Sequence, residues 1–348
     1  MQRIARKPTD GHPSSGDELS GRDGGSWPLT DRESIVVDDP YHIPVLVEEV
    51  LTWLDAAPGK SFVDGTLGGG GHAEAILERT GPDGRLLGID RDPMAREEAA
   101  SRLERFGDRV EIVAGNYGDV TAHARGFGPA DGFLVDAGVS SRQLDDPDRG
   151  FSFREAGPLD MRMGPEAPTL EEYLSAVDED DLAGALRAYG EVRGARRIAR
   201  EILVEFRAGH IRDTAQLAEV VARVAPGRGG ARRRTRIHPA TLVFQALRIA
   251  VNEELDALER AVEAVPIVVR AGGRAVFISF HSLEDRIVKQ GFRDLASDCV
   301  CPPGLPECVC DAVAQVSILT SRPVRATQAE IESNPRARSA KLRAVEVL

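Results

Sequence analysis

Five of the seven residues from Gly65 to Gly71 are glycine, so neither a helix nor a strand can run through this stretch and the chain must turn there. The short apolar run Ser61-Phe62-Val63-Asp64 precedes the turn and reads as a strand, while His72 to Arg79 after it reads as a helix. The same alternation continues. Arg85 to Asp90 is a second strand, and Pro93 to Phe106 is a helix with Ala95, Ala99, Leu103 and Phe106 on one face. Val110 to Ala114 and Gly132 to Asp136 are further strands. Strands separated by helices build βαβ units, and these predict a parallel sheet covered on both faces.

Beyond Asp136 the rhythm stops. Residues 145–240 carry helical patterns at Leu170 to Ala176, Asp180 to Tyr189, Ala195 to Ala208 and Thr214 to Val224, without a strand pattern. Alternation then resumes with a helix from Thr241 to Ala264, a turn at Ala271-Gly272-Gly273 and a strand from Arg274 to Phe280. Two more strands are expected at Gln315 to Thr320 and Lys341 to Val347. The simplest organisation is an α/β domain made of residues 41–144 and 241–348, interrupted by a helical insertion at 145–240. An autonomous middle domain on two linkers reads alike. Residues 1–40 hold five Gly, four Pro and five Ser without apolar periodicity, and are expected to form a disordered extension.

The glycine turn offers backbone N–H groups at a helix start, and Asp90 ends the next strand, where an acidic residue commonly accepts from ribose hydroxyls. Together they suggest a nucleoside cofactor. Gly68 to Ala73 fits the dinucleotide pattern G-x-G-x-x-A, which keeps an NAD-dependent oxidoreductase open. Against it stand Asp64, Asp90, Asp92 and Asp136, all expected at the C-terminal edge of the sheet where ligands bind. Four carboxylates disfavour a pyrophosphate and suit a ligand with a sulfonium and an ammonium group, such as S-adenosylmethionine.

Several runs then become recognisable. They are Phe62 to His72; Gly88 to Pro93; Val135-Asp136-Ala137-Gly138-Val139-Ser140-Ser141 with Gln143-Leu144-Asp145; Arg149 to Phe153; Gly157 to Met163; Tyr189-Gly190-Glu191; His238 to Thr241; Ile278 to Arg286; and Asn334 to Ser339. In order and spacing they resemble the bacterial MraW-type 16S rRNA cytosine-N4 methyltransferases from about His42 to the C-terminus. The resemblance implies a class I S-adenosylmethionine-dependent methyltransferase: a Rossmann-like, mostly parallel seven-stranded sheet with an all-helical inserted domain. It implies S-adenosylmethionine as methyl donor, and as acceptor a cytosine in the decoding region of 16S rRNA in the small ribosomal subunit. It places cofactor contacts on Gly70, Gly71, His72, Asp90, Tyr117, Asp136 and Gln143. Tyr117 stands where Phe is frequent, and either ring can stack on adenine.

Amine methylation is an in-line displacement that needs positioning and an acceptor for the amine hydrogens. Many amino-methyltransferases carry Asp/Asn-Pro-Pro-aromatic after the fourth strand, whereas this chain has Asp136-Ala137-Gly138-Val139-Ser140. Asp136 or a nearby carbonyl is the candidate acceptor. His281 is the second catalytic candidate, as a proton acceptor after transfer, with a loop-binding histidine as the alternative; Phe280 is a candidate platform for an extruded base. His238 reads as an RNA contact or a helix-start residue.

The net charge of −12 by itself speaks against a polyanionic partner. Its distribution does not. Between Glu191 and Arg236 lie twelve Arg and five acidic residues, with Arg228, Arg232, Arg233, Arg234 and Arg236 crowded into one loop as candidate phosphate contacts. Residues 155–181 hold nine acidic residues and one Arg, expected to face away from RNA or toward a ribosomal protein. All four cysteines, Cys299, Cys301, Cys308 and Cys310, fall in two C-x-C pairs that suit a structural zinc ion. With no apolar run near the roughly 18 residues of a membrane span, a cytoplasmic protein is expected. A non-catalytic RNA-binding protein with a nucleoside pocket is a further alternative, and the sequence leaves open whether the chain pairs as a homodimer.

Overall fold

Seven strands are present among the described residues of the computed structural model, which are 44–225, 238–299, 301 and 310–348. They are β1 (Ser61–Asp64), β2 (Arg85–Asp90), β3 (Val110–Ala114), β4 (Ala130–Asp136), β5 (Val269–Ser279), β6 (Val316–Ile318) and β7 (Lys341–Val347). They form one sheet in the order β3-β2-β1-β4-β5-β7-β6. β1 to β5 pair in parallel, and β7 runs antiparallel between β5 and β6. This is the mostly parallel seven-stranded sheet that the sequence led one to expect.

Continuous apolar runs put the central strands inside. Phe62, Val63, Leu86, Leu87, Phe133, Leu134 and Val135 are all fully buried, as strands with helices on both faces require. Alternate residues serve opposite faces. Val63, Leu87, Phe133 and Phe277 pack with Phe292 of the helix Ser282–Leu295 on one side. On the other side, Phe62, Leu86 and Leu134 pack with Ile76 and Leu77 of the helix Gly71–Arg79. Phe277 stands edge-on between Phe133 and Phe292, at centroid distances of 5.5 and 5.3 Å.

Between β4 and β5 the helices Leu170–Ala176, Glu179–Gly190, Ala195–Arg207 and Thr214–Val224 build a second apolar core. Ala195–Arg207 is strongly amphipathic, burying Ala195, Ile198, Ala199, Ile202 and Leu203 and leaving its arginines outside. Val243, Phe244 and Leu247 of the helix Pro239–Asn252 complete this core.

Four elements differ from the sequence reading. The single helix expected over 241–264 is two, Pro239–Asn252 and Glu254–Glu263, broken at Glu253 in the left-handed region with φ +50°. The turn expected at 271–273 lies inside β5, opposite a register shift between Ala130 and Gly132, so the glycines mark a bulge. β6 spans three residues because the N–H groups of Leu319 and Thr320 after it both turn to Ala344 O, which ends the regular ladder with β7. The helix Ser282–Leu295 is an element the sequence reading left out, although Leu283, Ile287, Val288, Phe292 and Leu295 recur at helical spacing behind the His281-x-x-Glu284 capping box. No helix among the described residues is long and apolar enough to cross a membrane.

Candidate active site

The strand order reverses between β1 and β4, so connections leave the sheet in opposite directions there and open a crevice at the C-terminal edge. The glycine turn after β1 forms its floor. Gly65 N–H donates to Leu134 O, and a Cβ on Gly65 would stand 2.9 Å from Tyr117 Cβ, so the backbone passes there only without a side chain. Leu67 N–H donates to Ile89 O and Gly68 N–H to Asp90 Oδ2 at 2.8 Å, tying the turn to β2. Gly70, with φ +82°, caps the helix Gly71–Arg79 in a conformation that L side chains rarely adopt.

Above this floor lies a cavity of about 730 Å³, walled on one side by the sheet edge and on the other by Phe153, Met163, Phe244 and Arg248. The structure brings together Gly71, His72, Asp90, Tyr117, Asp136, Gln143 and His281 on its lining. Gly70 lies behind it, facing Ala99.

The four aspartates expected at this edge have separate situations. Asp136 and Asp90 line the cavity, whereas Asp64 is buried beneath it with 1% exposure. Asp64 Oδ1 accepts from Thr66 N–H, Oδ2 has no partner among the described residues, and burial pushes the carboxyl up to about 6. Asp90 accepts backbone N–H groups on both oxygens, from Asp92 and Gly68, and burial raises its carboxyl too. Asp92 does not reach the cavity lining. It caps the helix Pro93–Leu103 through Met94 N–H and pairs with Arg149 at 2.7 Å.

His72 is buried with both ring nitrogens lacking a hydrogen-bond partner among the described residues, and its Nε2 is 3.6 Å from Asp136 Oδ2. Asp136 Oδ1 is likewise buried and without a hydrogen-bond partner among the described residues, while the Asp136 N–H is held by Thr66 Oγ1 at 2.6 Å. Gln143 spends its amide internally: Oε1 accepts from Ser140 N–H in a capping box and Nε2 donates to Asp92 Oδ2. Tyr117 O–H donates to Glu254 O at 3.4 Å, and burial raises its phenol.

His281 opens the helix Ser282–Leu295 as its cap. Its Nδ1 accepts from Glu284 N–H at 3.4 Å, and its Nε2 lies 3.0 Å from Glu284 Oε1. Burial works to raise Glu284, but His281, Arg248 and the Phe280 N–H outweigh it and hold the carboxyl below its usual range. Arg248 is itself clasped by Glu254 at 2.8 and 2.9 Å. Arg248 and Glu284 both line the cavity and were missed from sequence. The available signal was His281-x-x-Glu284, which has the spacing of a capping box.

His238 is exposed, caps the helix Pro239–Asn252, and sets its ring at a 40° tilt 5.1 Å from that of Phe153. Arg228, Arg232, Arg233, Arg234 and Arg236 lie outside the described residues, as do residues 1–40 and Cys308. Cys299, Cys301 and Cys310 come together away from the cavity.

A mostly parallel sheet in this order, with a glycine turn and an acidic crevice at the β1/β4 reversal, defines a class I methyltransferase. The chain belongs to the MraW methylase family, whose profile matches residues 39–348. It is 53% identical over 311 residues to the ribosomal RNA small subunit methyltransferase H of Geobacter sulfurreducens, covering 88% of this chain and 99% of that one. It is 51% identical over 307 residues to the protein of the same name from Anaeromyxobacter sp. (strain Fw109-5), covering 88% and 97%.

Proposed function

We propose that this chain binds S-adenosylmethionine in the crevice at the β1/β4 edge and directs its methyl group to the exocyclic N4 amine of a cytosine in the decoding region of 16S rRNA. The observation that carries this reading is the set of buried polar atoms at one cavity that have no hydrogen-bond partner among the described residues: Asp64 Oδ2, Asp136 Oδ1, both nitrogens of His72 and Nε2 of His281. Buried polar groups are almost always satisfied, so these await a polar ligand. Two of the four residues are carboxylates, with Asp90 close by, which favours a cationic ligand over the pyrophosphate of NAD. Family membership and the relatives named as small-subunit rRNA methyltransferases support the same reaction class and RNA as substrate.

When bound, S-adenosylmethionine supplies a methyl group made electrophilic by its positive sulfur. The residues of the chain supply position and electrostatics. Asp64 and the Gly71 helix start hold the charged amino-acid end, Asp90 keeps lone pairs for ribose hydroxyls beyond the two it uses, and Tyr117 offers its ring to the adenine. Cytosine N4 is a poor nucleophile because its lone pair is delocalised into the ring. Asp136 Oδ1, oriented by His72 and the Thr66 contact, accepts an amine hydrogen and helps localise that pair. Phe280 or Phe153, both on the cavity lining, gives the base a stacking surface. His281 uses Nδ1 to cap its helix, while Nε2 lies beside Glu284 without a hydrogen bond on the cavity lining, so in this reading it accepts the amine proton after transfer. The Arg228–Arg236 loop contributes phosphate contacts, and such a substrate places the work in the cytoplasm.

Titration calorimetry tests the cofactor assignment. S-adenosylmethionine binds with one site per chain and NAD gives no heat; binding of NAD in its place overturns the assignment.

A further inference from the structure

We infer that Cys299, Cys301 and Cys310 form a zinc site that fastens the loop between the helix Ser282–Leu295 and β6, apart from the methyl-transfer cavity. The chain has four cysteines in 348 residues, and all fall within Cys299 to Cys310. In the fold, Cys299 follows the helix and Cys310 precedes the strand, and the loop is closed at its base by Gln315 N–H donating to Leu295 O at 2.8 Å. The Sγ atoms of Cys299, Cys301 and Cys310 lie within 4.8 Å of one another, and those of Cys299 and Cys310 are 3.9 Å apart.

These distances choose between the two chemistries open to clustered thiols. A disulfide needs its sulfurs at about 2.05 Å. Two thiolates on one tetrahedral zinc ion, each about 2.3 Å from the metal, stand about 3.8 Å apart. The observed spacing matches the second. Neutral thiols share a weak hydrogen bond at this separation, and once deprotonated they are soft ligands that favour zinc over calcium or magnesium. Each thiol gives up its proton to solvent as the ion binds. The fourth position of the tetrahedron is left for another donor, water included. None of the three cysteines lines the cavity, so the ion acts on the fold. It staples the approach to β6, an edge strand of three residues whose own pairing holds it weakly.

Metal analysis of the full chain, purified with reductant and without chelator, tests this. Stoichiometric zinc is expected, with complete loss in the variant Cys299→Ser/Cys301→Ser/Cys310→Ser. Should that variant not fold, replacement of zinc by cobalt(II) in the unaltered chain reads the ligands directly: a thiolate-to-cobalt charge-transfer band with intense tetrahedral d–d bands supports the site. Absence of zinc with an octahedral cobalt spectrum overturns it, and so does a Cys299–Cys310 disulfide found by mass spectrometry in protein free of metal. S-adenosylmethionine binding is expected to survive loss of the metal, which separates this result from a failure of the methyltransferase reading.

Discussion

Asp64 shows how a residue can be placed for a ligand at the expense of the fold. Burial is the main cause that lifts its carboxyl from 3.8 to about 6, so the folded chain holds this proton more tightly than the unfolded chain. The group therefore costs nothing below pH about 4. As pH rises through about 6 the native state must bury a charge, and stability falls by up to about 3 kcal/mol. A cationic ligand beside Asp64 reverses this by favouring the ionised form. Asp64→Asn keeps the acceptor for Thr66 N–H and removes the charge. The variant is expected to melt higher than the parent at pH 8, to bind S-adenosylmethionine at least tenfold more weakly, and to lose the rise in affinity between pH 5 and 7. Thermal scans and calorimetry across that range measure both effects. Parallel pH profiles for the two proteins contradict this role. The sequence marked Asp64, Asp90 and Asp136 by their strand-end positions. It could not tell which carboxylates would be buried, exposed or already bonded, because Asp92 finds Arg149 only across 57 residues of chain.

At the scale of elements, the wall facing the sheet hangs on Asn252. Its Nδ2 donates to Met161 O and Arg248 O, and its Oδ1 accepts from Met163 N–H, so one buried amide joins the helix end to the irregular segment that carries Met163 into the cavity. Asn252→Ala leaves the Met161 carbonyl and the Met163 N–H without this partner. The expected loss is about 2 kcal/mol in urea unfolding; a loss below about 0.5 kcal/mol contradicts the role given to Asn252. The same residue explains why the break after it was illegible. No Gly or Pro stands at 252–254, and Glu253 takes its left-handed conformation while its neighbours Asn252 and Glu254 bond to groups distant in sequence or on the previous turn. Local signals did fix β1 to β4 and the helices from Leu170 to Val224, where apolar periodicity and caps coincide. Thr169, Asp178 and Asp213 each accept a helix N–H at the start of one of those helices. The bulge in β5 depends on a pairing partner that a one-dimensional pattern does not contain, whereas the helix Ser282–Leu295 carries local signals in its cap and apolar spacing that the reading passed over.

Over the whole molecule, charge is arranged more finely than either the total of −12 or the basic run suggested. The acidic and basic stretches meet: Glu179 and Asp180 pair with Arg196, and Glu179 also binds Arg200. Arg223 likewise pairs with Glu201 and Glu205. These exposed pairs add little stability, but they remove arginines from the set available to phosphate. Among the described residues, exposed arginines such as Arg193, Arg197 and Arg207 remain, and the proposed RNA contacts add the arginines between Arg228 and Arg236 in the sequence. Replacing Arg232, Arg233 and Arg234 by Gln is therefore expected to weaken binding to small-subunit RNA. It should also flatten the log–log salt dependence by about 2 units, at about 0.7 for each phosphate that is no longer neutralised. An unchanged slope by filter binding between low and moderate salt removes this loop from the interface. The central claim concerns the product. Small ribosomal subunits lacking the modification, incubated with methyl-labelled S-adenosylmethionine and then digested to nucleosides, should yield label as N4-methylcytidine from one position of the decoding region with the unaltered chain, and none with Asp136→Ala. Label on another atom or nucleotide, or no label with the unaltered chain on any form of the subunit, contradicts the account.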